Sequence, residues 1–246
     1  MRIIGHRGAR REAPENTLAG FRHLRSLGID HVELDVRLSA DNQLVVIHDD
    51  SVNRTTELKG AVRDLSAAQM ARLNAAANFP GWQDATPVPL LADVLAEWEE
   101  LESIQLEVKS TRIDDLHIIA AGLVQLVRQF DLLDVATVTS MDPKLLAIMH
   151  QKAPDIRRGY VAERFTRDPL AMCHLYECDL LAMNYHRVNP TVISAAQQQG
   201  IEFSVWTVNN LNLARKLQDW GVNSIITDMP SLMLENLSHI GCACHG

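Results

Sequence analysis

The sequence predicts an α/β fold, a (β/α)8 TIM barrel with a small insertion after the second strand. Three observations predict it. Eight short β-branched or apolar runs alternate with eight helical patterns along the chain, and strands that alternate with helices form a parallel sheet joined by right-handed crossovers. The chain has 246 residues without a Ser/Gly/Pro-rich linker or a low-complexity run, a length at which eight such units close into a barrel. One unit, the second, carries an extra hairpin before its helix. A doubly wound open sheet is the alternative that the same alternation allows. A single domain over residues 1–246 is the expectation.

The first strand is expected at Arg2–Gly5 and its helix at Thr17–Leu27, with Asn16-Thr17 after Pro14-Glu15 as the helix start. The second strand is His31–Val36. After it, Asp41-Asn42 stands between two strand-like runs, and both residues tolerate φ > 0, so a tight turn is expected to send the chain back through Leu44–His48. Residues 49–89 follow as an insertion that a barrel would carry on its C-terminal face. The next helix is expected at Leu91–Leu101. The remaining strands are Ser103–Val108, Val135–Thr139, Ile156–Val161, Leu180–Asn184, Ile201–Val205 and Ser224–Thr227. The helical patterns between and after them are Asp115–Phe130, Pro143–His150, Asp168–Leu175, Pro190–Gln199, Leu211–Trp220 and Ser231–Leu237.

Composition bounds the function. Apolar residues make up 47% and charged residues 22%, which suits a packed core and excludes a disordered polyelectrolyte. The net charge of −8 repels nucleic acid and anionic membrane, so neither is an expected partner. An anionic substrate would then need a locally positive pocket or a bound cation. The four cysteines, Cys173, Cys178, Cys242 and Cys244, form no CxxC pair and are too sparse for a disulfide scaffold, which suits the cytoplasm. The tail Cys242-Ala243-Cys244-His245 reads as a frayed terminus with free thiols rather than a metal site. MRIIGHRG at the start has no apolar signal-like region, and the most apolar helical stretch, Ile118–Val127, is too short to span a bilayer. No stable membrane insertion is expected.

The chemistry gathers in the first three units. In Val32-Glu33-Leu34-Asp35-Val36 the side chains alternate, so the apolar three share one face and Glu33 and Asp35 the other. The outer face of a barrel packs on helices, which turns the two acids to the inside. Two carboxylates held close in a dry site resist ionising together, and a divalent cation with a preference for hard oxygen ligands, Mg2+ or Ca2+, resolves the conflict. In Leu106-Glu107-Val108-Lys109 the device recurs: Glu107 can supply a third carboxylate and Lys109 a positive charge beside it. The first strand ends in Gly5-His6-Arg7-Gly8, and the return strand in His48-Asp49. Taken singly, a Glu-x-Asp pair is more often half-exposed surface, a terminal His a solvated residue and a Glu-x-Lys pair a surface ion pair. Their coincidence at the mouth ends of three consecutive units is what points to a site. Three acids against a dication, Arg7 and Lys109 leave one positive charge, the complement of a phosphodiester anion.

The sequence resembles the glycerophosphodiester phosphodiesterase family. The resemblance rests on His6-Arg7-Gly8, Pro14-Glu15-Asn16-Thr17, Glu33-Leu34-Asp35-Val36, Val45-Val46-Ile47-His48-Asp49, Asn53-Arg54-Thr55-Thr56, Leu106-Glu107-Val108-Lys109, Trp206-Thr207-Val208-Asn209 and Ile226-Thr227-Asp228-Met229-Pro230, which together run through nearly the whole chain. It implies that Glu33, Asp35 and Glu107 are metal ligands, that His6 and His48 are general acid/base residues, that Arg7 and Lys109 contact phosphate, and that Trp206 packs on the glycerol side of the substrate. The hairpin reads Asp-Asn where the family usually has Asp-Gly. Asn184 and His186, at the end of the sixth strand, receive no role.

The implied reaction is metal-dependent hydrolysis of a glycerophosphodiester, such as glycerophosphocholine or glycerophosphoethanolamine, to an alcohol and sn-glycerol 3-phosphate. The nucleophile is water or a glycerol hydroxyl. Three other readings compete. A phospholipase D-like enzyme acting on lysophospholipids would want an apolar groove or a polybasic anchor. A non-catalytic barrel that binds a phosphorylated ligand would have no need of both histidines. A sugar-phosphate isomerase or aldolase barrel would want glycines in the loops after the last two strands, where Thr207-Val208-Asn209 and Thr227-Asp228-Met229-Pro230 stand.

Overall fold

The computed structural model describes residues 1–98, 100–109, 112–163 and 168–237. Its strands are β1 (Arg2–His6), β2 (His31–Leu38), β3 (Leu44–Val46), β4 (Ser103–Val108), β5 (Ala136–Ser140), β6 (Arg157–Ala162), β7 (Leu180–Asn184), β8 (Glu202–Trp206) and β9 (Ser224–Thr227). Its helices are α1 (Leu18–Ser26), α2 (Ala67–Met70), α3 (Leu91–Glu97), α4 (Ile113–Gln129), α5 (Pro143–Lys152), α6 (Pro169–Leu175), α7 (Pro190–Gln197), α8 (Leu211–Asp219) and α9 (Pro230–Leu237). The sheet runs β1-β9-β8-β7-β6-β5-β4-β2-β3, and a further β1–β2 pairing closes it. Every pairing is parallel except β2–β3. The result is the expected (β/α)8 barrel with one antiparallel hairpin attached to its second strand.

The alternation in β2 and β4 sets the two faces. Val32, Leu34, Val36, Ile104, Leu106 and Val108 point outward and pack with Phe21 and Leu24 of α1, Leu91 and Val94 of α3 and Leu116 and Ile119 of α4. Each such fully buried aliphatic side chain contributes about 1.5–3 kcal/mol. A second cluster, including Leu181, Phe203, Val205, Ile193, Ala214 and Leu217, does the same on the other side of the barrel. Three helices begin with an Asx side chain followed by proline: Asp142 Oδ1 accepts from Lys144 N, Asp168 Oδ1 from Leu170 N and Asn189 Oδ1 from Val192 N. The cap satisfies an orphan N–H, and proline at the first helical position has none to lose. Helix α3 stops at Glu97, short of the expected Leu101, where Trp98 turns its indole Nε1 to Asp30 Oδ1 at 3.2 Å.

The hairpin closes over residues 39–43, and of Asp41 and Asn42 only Asn42 takes positive φ, at 59°. Its position matters more than its turn. Arg7 N donates to the backbone O of Glu33 at 2.8 Å, and Ile47 N donates to the backbone O of Asp35 at 3.1 Å. Carbonyls two apart on a strand point to the same side, so β1 and the chain leaving β3 occupy one edge of β2 in succession. β3 and the segment beyond it share a small core made of Val45, Ile47, Val52, Val62, Met70, Ala75 and Val88.

The N-terminal end of the barrel is closed by charge. Glu202 pairs with Arg2 and, at 3.2 Å, with Arg157. Cys173 and Cys178 are both buried as free thiols, facing one another across the cap of α6, where Cys178 N bonds Cys173 O at 2.8 Å. The tail with Cys242 and Cys244 lies outside the described residues. Among the described residues no helix is long and apolar enough to cross a membrane.

Candidate active site

The inward faces of β2 and β4 meet at the C-terminal mouth. Asp35 pairs with Glu107 in the β2–β4 register, and Glu33 sits one inward position below. One carboxylate oxygen from each of Glu33, Asp35 and Glu107 lies within 4.8 Å of the others. All three side chains are buried, and Glu33 Oε1 has no hydrogen-bond partner among the described residues. Burial, with Asp35 and Glu107 adding repulsion, pushes the Glu33 carboxyl well above the usual carboxylate range. Burial also raises Glu107, against the pull of Lys109. Asp35 goes the other way: burial alone would raise it, but Arg7, Lys109 and His48 outweigh that and hold it low. An all-oxygen cluster with an unsatisfied ligand atom and a carboxylate that resists ionising fits a hard divalent cation, whose charge reverses both penalties.

The cations stand against the same acids. Lys109 Nζ lies 2.6 Å from Glu107 Oε1 and 3.3 Å from Asp35 Oδ1. Arg7 Nε lies 3.0 Å from Asp35 Oδ2, and its Nη1 donates to Glu15 Oε1 at 2.9 Å. The turn that aims Arg7 is tight. Arg7 has φ 54° and Asn16 φ 55°, in the left-handed region, at a cost on the order of 1 kcal/mol each. Asn16 N bonds Arg7 O at 2.9 Å, and the Asn16 amide bonds Asp35 Oδ2 at 2.8 Å, which fixes the loop to the acid it serves. A Cβ on Gly5 would lie 2.1 Å from Gly8 O, so glycine is required where this loop folds back on β1.

Each imidazole is backed by a carboxylate. His6 Nδ1 lies 2.5 Å from Asp228 Oδ1, and its Nε2 lies 3.9 Å from Glu33 Oε2. Asp228 Oδ2 in turn accepts from Asn209 Nδ2 at 2.7 Å, and Asn209 Oδ1 from Asp228 N at 2.9 Å. His48 Nδ1 lies 2.6 Å from Asp49 Oδ1, and Arg54 Nε donates to Asp49 Oδ2 at 2.7 Å. Arg54 then reaches Glu15, whose oxygens it bonds at 2.7 and 2.8 Å. Burial lowers the pKa of both histidines; at His6 the Asp228 hydrogen bond opposes it without overcoming it. A carboxylate on Nδ1 fixes the tautomer with its proton there and leaves the Nε2 lone pair for the cavity.

His6, Arg7, Glu33, His48, Glu107, Lys109 and Trp206 all line one cavity of about 220 Å3 at the mouth; Asp35 stands behind it. The structure thus brings the eight singled-out residues together. Asn184 and His186 do not line it; Asn184 Oδ1 accepts from His186 N instead. The residues that sequence reasoning left out of the site are its supports: Glu15, Asn16, Asp49, Arg54, Asn209 and Asp228. Asp228 is 222 positions from the histidine it holds, a pairing that no periodicity reveals. Its one signal was its place in Thr227-Asp228-Met229-Pro230 at a strand's C-terminal end.

A model of the glycerophosphoryl diester phosphodiesterase family matches residues 6–232. Among curated relatives, the chain is 31% identical to a glycerophosphodiester phosphodiesterase of Bacillus altitudinis, over 93% of this chain and 95% of that protein. It is 28% identical to one of Caldanaerobacter subterraneus subsp. tengcongensis, over 94% of this chain and 96% of that protein. Among solved structures it is similar to a phosphodiesterase of Oleispira antarctica in complex with the product sn-glycerol-3-phosphate, with a TM-score of 0.89 and 25% identity over 97% of each chain. A glycerophosphodiester phosphodiesterase of Agrobacterium tumefaciens superposes with a TM-score of 0.84 and 26% identity, over 96% of this chain and 99% of that one.

Proposed function

This chain belongs to the glycerophosphoryl diester phosphodiesterase family, and from that premise we propose that its cavity hydrolyses small glycerophosphodiesters, such as glycerophosphocholine or glycerophosphoethanolamine, to an alcohol and sn-glycerol 3-phosphate. The observation that carries the reading is the pairing of three mutually repelling carboxylates with two carboxylate-backed imidazoles on one cavity wall. The cavity, at about 220 Å3, has room for a glycerol phosphate-sized ligand.

Glu33, Asp35 and Glu107 would hold one Mg2+ or Ca2+, which when bound supplies positive charge against the phosphoryl oxygens. Arg7 and Lys109 bind the nonbridging oxygens and offset the charge that grows on them as the bond to the leaving group breaks. Trp206 packs on the glycerol. One imidazole takes the proton of the nucleophile through Nε2, and the other gives a proton to the leaving oxygen. The arriving phosphodiester anion raises the imidazole pKa and so charges the donor of the pair. Asp228 and Asp49 keep the two rings in the tautomer this requires. Residues 49–89 serve as a cover on the mouth, fastened through Asp49 and Arg54.

The test is a panel of divalent metals against glycerophosphodiesters that measures release of sn-glycerol 3-phosphate from the full chain. Release that chelation abolishes and Mg2+ or Ca2+ restores is the expected result. No release with any dication and any diester would sink the reading.

A further inference from the structure

Beside the catalytic cavity lies a second one of about 280 Å3, and Lys109 lines both. Its charged walls are Arg37, Arg63, Lys109 and Arg112 against Asp50 and Asp115. Most of these are committed. Arg63 Nε donates to Asp115 Oδ1 at 3.2 Å, its Nη2 to Asn42 Oδ1 at 2.8 Å and its Nη1 to the backbone O of Ser39. Arg112 Nε lies 3.7 Å from Asp115 Oδ2 with its side chain largely exposed, and Lys109 is held by Glu107 and Asp35.

Arg37 is the exception. It follows Glu33 and Asp35 on the inward face of β2, so it stands one position further out along the same line as the acids. Its Nε donates to the backbone O of His48 at 2.7 Å, and among the described residues neither Nη atom has a hydrogen-bond partner. A guanidinium fork is thus fixed at one nitrogen on the backbone of His48, with its other two nitrogens free of hydrogen bonds among the described residues and the carboxylates of Asp50, Asp35 and Asp49 acting on it through space. Such a fork matches the oxygens of a carboxylate or phosphate.

The direction of the cavity says which part of a substrate would reach it. It is walled by the end of β2, by Asp50, Val62 and Arg63 of the insertion, and by Lys109, Arg112 and Asp115 from the end of β4 into α4, whereas Trp206 ends β8, across the barrel. With glycerol against Trp206 and the phosphate between Arg7 and Lys109, the leaving alcohol extends toward Arg37. We propose that Arg37, with Arg112 at the rim, forms a subsite for a leaving alcohol that carries its own anionic group, so that the enzyme selects diesters whose headgroup ends in a carboxylate or phosphate. This deepens the proposed function and rests on it.

Glycerophosphoserine and glycerophosphoethanolamine differ by one carboxylate, so the ratio of their kcat/KM values isolates the subsite from any general loss of activity. The wild-type chain is expected to favour glycerophosphoserine by about tenfold, the scale of one charge-assisted hydrogen bond. In Arg37→Gln that ratio is expected to fall close to one, and in Arg112→Gln to fall part of the way. A wild-type ratio near one, or a ratio that neither substitution moves, overturns the subsite and leaves the reaction standing. Hydrolysis of neither diester overturns the function on which the subsite rests. Because Arg37 is half-buried, Arg112→Gln gives the decisive reading if Arg37→Gln does not fold.

Discussion

The two ends of the barrel use the same side-chain types in opposite proportions. At the N-terminal end one carboxylate, Glu202, stands between Arg2 and Arg157. Burial there would raise its pKa, but the two arginines outweigh it and hold the group below its ordinary range. At the C-terminal end three carboxylates share two cations, one oxygen of Glu33 has no hydrogen-bond partner among the described residues, and Glu33 resists ionising. The first arrangement is complete as it stands. The second is completed by a ligand. A charged cluster that is saturated serves the fold, and one with a surplus serves a site.

Substitution at each end should therefore change different quantities. The largest effect is expected from Glu33→Gln, which should abolish activity and the rise in Tm that Mg2+ or Ca2+ gives the wild-type chain. The same substitution should raise the Tm of the metal-free chain. The folded-state pKa of Glu33 lies above the unfolded value near 4.5, so the folded chain holds that proton better, and stability falls as pH rises between the two values. Gln removes that loss. Calorimetry with and without metal checks both halves, and an unchanged metal response would end the assignment of Glu33 as a ligand.

Next, His6→Ala and His48→Ala should each lower kcat by about 10²–10⁴, the usual worth of a general acid or base. Turnover near wild type in either variant would remove that imidazole from the reaction.

Asp228→Asn should cost less, about 10–100-fold in kcat with KM little changed, on the scale of one hydrogen bond to a charged group. Because Asp228 raises the His6 pKa against burial, the limb of the pH–rate profile that belongs to His6 should move to lower pH. A fall in kcat without that movement would make Asp228 a packing residue.

The smallest effect is expected at the other end. Glu202→Gln should leave activity unchanged and cost less than about 1 kcal/mol, since the cluster is part-exposed and screened. Its folded-state pKa is depressed below 4.5, so its contribution is present above that pH and disappears as pH falls through the folded value. Acid unfolding curves of the variant should be correspondingly flatter below about pH 4.5.

Much of this was legible in the sequence because the barrel makes a local pattern do global work. The two-residue period of Val32–Val36 and of Leu106–Lys109 fixes which side chains face inward, and a parallel barrel puts all inward faces on one axis. The placement of Glu33, Asp35 and Glu107 follows from that alone. The apolar period predicts a helix as far as Leu101 because it continues past the point where Trp98 leaves to bond Asp30. The supports of the site were hidden for a different reason. Asp228 meets His6, and Glu15 meets Arg54, through side chains whose partners are set by closure of the barrel and by the path of the insertion. Asn16 reads in the sequence as the start of a helix, which it adjoins, and its left-handed backbone and its bond to Asp35 emerge only once the strands are side by side.

The edge that β1 and the chain leaving β3 share along β2 has a last consequence. Both imidazoles are delivered to the cavity from one seam of the wall, the first as β1 turns away and the second as the hairpin takes over the same row of carbonyls. The spacing between the rings is thereby ruled by the repeat of a single strand. The stretch between Arg54 and Leu90 can lengthen, shorten or be rebuilt, and the two rings keep their places so long as that row is filled and Arg54 still holds Asp49.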